Sequence, residues 1–315
     1  MKYSELGLVN TKDMLRDALA LHYAVGAFNV YNMETLNAIL TAARNMSSPV
    51  ILAVSESALD YMGNDMLMAM VHGARIQPNE NIALHLDHGH SFDICARAID
   101  LGFSSVMIDA SALSFNENIE LSARVAEYAH LHNVSTEAEL GTLGGHEDQN
   151  TNSNVSEFTD PEKAAEFVSR TGIDSLAVSI GTKHGAHKMP NNAQELRFDI
   201  LTDIIRAVPD FPLVLHGAST IPQYLIRDIN AHGGNITGAI GIPTGQLQRA
   251  TEMNIAKINI DSDSRLAFTA GVRDMLWSQP NIFNPREYMA QGMEMVRINA
   301  EYEIENIMNS ANRLK

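Results

Sequence analysis

The chain has 315 residues, 45% of them hydrophobic, which allows a sizeable core and excludes a disordered chain. Its formal charge of −16 leaves no broad basic face, and so argues against nucleic acid or an acidic membrane surface as partner. A single cysteine, Cys95, excludes a disulfide framework or a cysteine-built zinc site; with neither a signal-peptide core in MKYSELGLVNTKD nor an apolar run of bilayer length, a cytoplasmic protein is expected.

In chain order, the first β-prone run is VGAFNV (25–30), followed by METLNAILTAARNM (33–46) with helical apolar spacing. PVILAV (49–54) and IALHLD (82–87) are the second and third strands, and SFDICARAIDLG (91–102) is a helix. SSVMID (104–109), a helix over 118–132 and VSTEAEL (134–140) continue the alternation. Residues 141–160 are rich in Gly, Asn and Ser and too long for a simple connection, which predicts a mobile loop. Asp160-Pro161 starts a helix, SLAVSI (175–180) and PLVLHG (212–217) are strands, and Ile221-Pro222 starts another helix. A second Gly-rich excursion spans 230–247, and IAKINI (255–260) is the eighth strand. Eight strands alternating with helices predict a single (β/α)8 barrel over 1–315, with a C-terminal helical extension at about 286–315. A doubly wound open sheet is the alternative, and it fits less well because no GxGxxG follows the first strand.

Strand parity then points to a site. In the third strand Ala83, His85 and Asp87 share the face that a barrel turns inward. Asn29, Ser55, Asp109, Glu139, His216, Asn259 and Asp261 all fall at or near strand C-terminal ends, where barrel active sites lie. Taken singly, each reads as a solvated loop residue or a hydrogen-bonded core polar. Their gathering at one rim is what argues for function. His88, His184 and His216 share that rim, and three protein ligands with an open position describe a catalytic zinc site. His85 reads as an inward polar support and His90 as a surface residue at a helix start. His22, His72, His130, His132 and His232 fall on helices or loops away from the rim.

Seven segments resemble class II, zinc-dependent fructose-bisphosphate aldolases: AFNVYN (27–32), HLDHG (85–89), VMIDAS (106–111), EAELGTLGGHED (137–148), IGTKHGAHK (180–188), LHGAST (215–220) and KINIDSDSR (257–265). The resemblance implies that His88, His184 and His216 bind zinc, with Asp109 and Glu139 as outer or alternative zinc positions. It implies that Asp87 exchanges a proton with the C4 oxygen of the substrate. Glu147, in the mobile loop, would be the base toward dihydroxyacetone phosphate. Asn29, Ser55, Gly185, Lys188, Gly217, Ser219, Asn259, Asp261 and Ser262 would line the ketose phosphate, beside a monovalent cation, Na+ or K+. Arg265 would reach a neighbouring subunit's distal phosphate, which implies a homodimer or homotetramer.

The expected reaction is the reversible retro-aldol cleavage of fructose 1,6-bisphosphate. The same chemistry could serve tagatose 1,6-bisphosphate, a sulfonated ketose phosphate or a deoxy-ketogluconate phosphate. A catalytically silent sugar-phosphate-binding barrel is another class of reading, against which Asp87 and Glu147 weigh, since binding alone needs neither. A metal-dependent hydrolase barrel would usually want more metal-ligating carboxylates or an HxH in the first strand, where this chain has AFNV.

Overall fold

The computed structural model describes residues 2–143, 145–147, 150–152, 157–185 and 196–314. After α1 (Thr11–Ala20) come β1 (Val25–Asn29), α2 (Met33–Met46), β2 (Val50–Ser55), α3 (Glu56–Met62), α4 (Asn64–Gly73) and β3 (Ile82–Gly89). The chain continues through α5 (Phe92–Leu101), β4 (Ser105–Ile108), α6 (Phe115–Leu131) and β5 (Ser135–Leu140). A hairpin, β6 (Gly145–Glu147) and β7 (Asn150–Asn152), precedes α7 (Pro161–Thr171), β8 (Ser175–Val178), α8 (Phe198–Ala207) and β9 (Leu213–Leu215). The last elements are α9 (Gln223–Ala231), α10 (Thr244–Thr251), β10 (Ile255–Ile260), α11 (Ser262–Ser278) and α12 (Pro285–Asn306).

Eight parallel strands close in the order β1-β10-β9-β8-β5-β4-β3-β2, with the β6–β7 hairpin outside the ring. The open-sheet alternative is thereby removed, and the (β/α)8 fold stands. Local chemistry sets the helix limits. Asn32 caps α2 and forms a capping box with Thr35, while Ser47 closes the helix at φ 47°. Ser91 caps α5 and Gly102 ends it in the left-handed region. Asp160 caps α7 with Pro161 in its first turn, as the sequence predicts. One start differs: α6 begins at Phe115, not 118, because Ser114 and Glu117 form a capping box.

Two apolar layers result. Outward strand residues such as Leu52, Leu84, Val106 and Ile258 pack against the helices in the main core. Inside the barrel, Met14, Leu15 and Ala18 of α1 pack with Val25, Ala27, Ile51, Ala53 and Ala83, so α1 plugs the floor. The alanines leave room higher up for large polar side chains: His85, Glu137 and Lys257 are all buried there. α12 packs on both α2 and α11 and completes the outer layer. Among the described residues no helix is long and apolar enough to cross a membrane.

Candidate active site

The rim residues come from strand ends, as parity predicts. Asn29 and Ser55 end β1 and β2, Asp109 follows β4, and Glu139 is next to last in β5. His216 follows β9, Asn259 is next to last in β10 and Asp261 follows it. Ser55 stands in register with Asp87, and Ala27 with Asn259.

Strict alternation would turn Asp87 inward and His88 outward. The structure breaks it: the β3–β4 register shifts between Leu86 and Gly89, and His88 adopts φ 48°. A non-glycine residue in that region costs about 1 kcal/mol or more. The kink brings two consecutive side chains to the same site. Gly89 makes room for it, since a Cβ there would lie 2.9 Å from the Met107 carbonyl oxygen and 3.0 Å from Cys95 Sγ.

Asp87, 1% exposed, is steered by two amides: Asn29 Nδ2 donates to Oδ2 at 3.1 Å and Asn259 Nδ2 to Oδ1 at 2.9 Å. The Oδ1 atoms of both asparagines are buried and lack a hydrogen-bond partner among the described residues, so they remain available to a ligand.

The histidines gather beside this carboxylate. The His88 ring centroid lies 4.5 Å from that of His216 and 5.0 Å from that of His184, and the latter two are 6.2 Å apart. His88 Nδ1 meets Asp109 Oδ2 at 2.9 Å, and His216 Nε2 meets Glu137 Oε1 at 2.7 Å. Carboxylates accept, so these outer nitrogens carry the protons. The inner nitrogens, His88 Nε2 and His216 Nδ1, then face each other 2.9 Å apart with lone pairs. Two lone pairs so close call for a cation between them, a proton or a metal ion. Ligand atoms of Asp87, His88 and His216 lie within 4.8 Å of one another, as do those of His88, Asp109 and Glu139. The donor set of imidazoles and carboxylates with acidic partners behind them fits a divalent metal.

Electrostatics agree. Burial would raise the Asp109 carboxyl, but hydrogen bonds from His88 and from Ser111 hold it well below the usual range. Burial pushes His216 down and favours its neutral form. Neutral imidazoles and ionised carboxylates are the forms that bind metal.

The remaining rim residues lie around this centre. Gly217, at φ 59°, sits against the loop that carries His184: a Cβ would come within 2.6 Å of the Lys183 carbonyl oxygen. Gly185 follows His184 at φ 83°. Ser219 is buried after β9, and Ser262 opens α11. Arg265 is half exposed and ion-paired with Asp261 at 2.7 Å, with Tyr31 beneath its guanidinium. Glu147 belongs to β6, and its side chain and Lys188 lie outside the described residues. His85 is inward and buried and His90 is on the surface, as expected from sequence.

Three supporting residues escape the sequence reading. Asp263 accepts from the Thr220 N–H at 2.6 Å, the Thr220 hydroxyl at 2.9 Å and the Ile221 N–H at 2.8 Å, clamping the loop after β9 onto α11. Glu137 and Lys257 form a buried ion pair at 2.9 Å under His216. A signal for both existed: each lies two residues before an inward-facing site residue, Glu139 or Asn259.

Comparison with known proteins adds the family. A family model described as fructose-bisphosphate aldolase class-II matches residues 9–313. The chain belongs to that family. The fructose-bisphosphate aldolase of Treponema pallidum is 43% identical over 99% of each chain. That of Thermus caldophilus is 45% identical over 92% of this chain and 94% of its own. In structure, the YdjI aldolase from Escherichia coli K12 superposes with a TM-score of 0.77 at 30% identity, covering 98% of this chain and 100% of that one. The class II aldolase fold and the gathered rim thus agree with the sequence motifs.

Proposed function

We propose that this aldolase is zinc-dependent and cleaves fructose 1,6-bisphosphate reversibly to dihydroxyacetone phosphate and glyceraldehyde 3-phosphate. The observation that carries the reading is the meeting of His88, His184 and His216 beside Asp87, a carboxylate steered by two amides. A zinc ion held by the three histidines would supply Lewis-acid polarisation of the ketone oxygen. Asp87 takes the proton from the C4 hydroxyl in cleavage and returns it in condensation; the Asn29 and Asn259 amides keep it aimed. Glu147 removes the proton from dihydroxyacetone phosphate in the condensation direction.

Gly185, Gly217, Ser219 and Ser262 offer backbone N–H groups and hydroxyls to the ketose phosphate, helped by Lys188 and by a sodium or potassium ion nearby. Asn29, Ser55, Asn259 and Asp261 line the sugar. Asp109 orients His88, and Glu139 stands by as an alternative ligand. Arg265, exchanging Asp261 for a phosphate, serves a partner's site in a homodimer or homotetramer. The cytoplasm is the compartment that fits this chemistry.

The test is a retro-aldol assay on metal-loaded and chelated protein with a panel of ketose phosphates. Fructose 1,6-bisphosphate should have the highest kcat/KM, chelation should abolish turnover, and zinc should restore it. Borohydride with substrate should leave activity intact, since no Schiff base forms. A higher kcat/KM with tagatose 1,6-bisphosphate would move the substrate and keep the chemistry. Full activity in metal-free protein would remove the zinc assignment.

A further inference from the structure

The metal-facing histidines rest on a polar chain that runs down the barrel interior, and the reaction chemistry uses none of its lower members. Glu137 Oε1 accepts from His216 Nε2 at 2.7 Å. Below it, Lys257 Nζ donates to both Glu137 oxygens, at 3.1 and 2.9 Å. The third ammonium proton points to His85 Nε2 at 3.5 Å, and His85 Nδ1 meets Ser105 Oγ at 2.8 Å. Ser105 Oγ continues to Thr11 Oγ1 at 3.2 Å, and Thr11 Oγ1 to Ser135 Oγ at 2.7 Å. Glu137 is 1% exposed, while Lys257 and His85 are fully buried.

Donor and acceptor counting orients the chain. An ammonium has three donors and no lone pair, so His85 Nε2 must accept and its proton sits on Nδ1. With Lys257 occupying its lower side, the Glu137 carboxyl is fixed as an acceptor toward His216. His216 then bears its proton on Nε2 and turns the Nδ1 lone pair to the site. The opposite tautomer would put an N–H where a metal ligand is needed. The fold does not require this ion pair, because a buried pair returns little more than its desolvation cost and an apolar pair would fill the same space.

We propose that Lys257 is a positioning residue for the metal centre: it anchors Glu137 from below, and Glu137 sets His216 so that Nδ1 is the ligand atom. The inference rests on the reading of His216 as a metal ligand. It adds that ligand quality is set from inside the barrel, one bond further than the carboxylate.

The decisive variant replaces both charges at once, Lys257→Met with Glu137→Gln, leaving no uncompensated buried charge. The glutamine can accept from or donate to His216, so either tautomer is satisfied. Zinc affinity measured by chelator competition should fall roughly 10–100-fold, the usual cost of losing such outer support. The visible spectrum of the cobalt-substituted variant should change, while the metal-free melting temperature stays close to the parent's. A folded double variant with parental zinc affinity and cobalt spectrum overturns the proposal, and so does a loss of stability alone. Should the variant not fold, nitrogen-15 histidine spectra of the unaltered metal-free protein decide: a proton on Nε2 of His216 is required, and one on Nδ1 overturns the inference. A His216→Ala control separates the levels. If that variant keeps parental zinc affinity, the ligand assignment itself fails; if it loses zinc and the double variant does not, only the Lys257 role fails.

Discussion

At the residue scale, the proton chemistry proposed above rests on one buried carboxylate, Asp87, held by two amides. Asp87→Ala should retain about one zinc per chain, because three histidines remain, and lose roughly 100- to 10,000-fold in kcat. Metal analysis beside steady-state kinetics checks both halves, and a metal-free Asp87→Ala protein would make the residue a ligand instead. Glu147→Ala should suppress hydrogen exchange at C3 of dihydroxyacetone phosphate; exchange at the parental rate would hand the role to another group, such as His146. His85 predicts a pH effect on stability. Burial, then the Lys257 charge, pushes it down to about 3, whereas the unfolded chain holds histidine near an ordinary 6.5. Between those values the unfolded state binds a proton that the folded state refuses. Stability is therefore present above about pH 6.5 and is lost as the pH falls towards about 3, with a slope of about 1.4 kcal/mol per pH unit for one proton. Urea midpoints between pH 7 and 5 should show the decline, and His85→Gln should flatten it.

At the element scale, the loops after β8 and β9 support each other through Gly217, whose backbone no side chain can share. Gly217→Ala must push back the Lys183 carbonyl at 2.6 Å and adopt φ 59°. We expect a loss of about 1–3 kcal/mol by analogy with other strained backbone sites, and zinc content below one per chain because His184 moves with Lys183. Parental metal content in a folded Gly217→Ala protein would separate the two loops. Asp263→Ala should cost about 2–4 kcal/mol, since one buried and one part-buried backbone N–H lose their acceptor beside Ile221, which holds φ 50°. Urea denaturation reads it directly. Much of this level was legible in the sequence. The strands, the helix start at Asp160-Pro161 and the rim positions follow from alternation and end signals. Two things did not follow. The α6 start was missed although Ser114-x-x-Glu117 spells a capping box, because apolar spacing begins later. The kink at His88 was invisible, since alternation assumes an unbroken strand and only the packing of Gly89 against β4 and α5 reveals the break.

At the scale of the whole molecule, a strongly acidic surface encloses a barrel whose centre is a column of paired polar groups. Sequence reasoning found its top, where parity and motif coincide, and missed its shaft, because a lysine within IAKINI has no visible partner until β5 stands opposite it. The column has two ends. The upper meets the histidines, and the lower meets the first residue of α1, where the Thr11 N–H donates to Ser135 Oγ at 2.9 Å. Thr11 lies at the barrel floor, yet a run of hydrogen bonds through Ser105, His85, Lys257 and Glu137 joins it to His216. Its amide is therefore a remote listening post. In a metal titration followed by nuclear magnetic resonance, the Thr11 signal should shift in step with occupancy at the rim. The floor of the barrel, reached from the opposite side of the protein, would then report what is seated at its mouth.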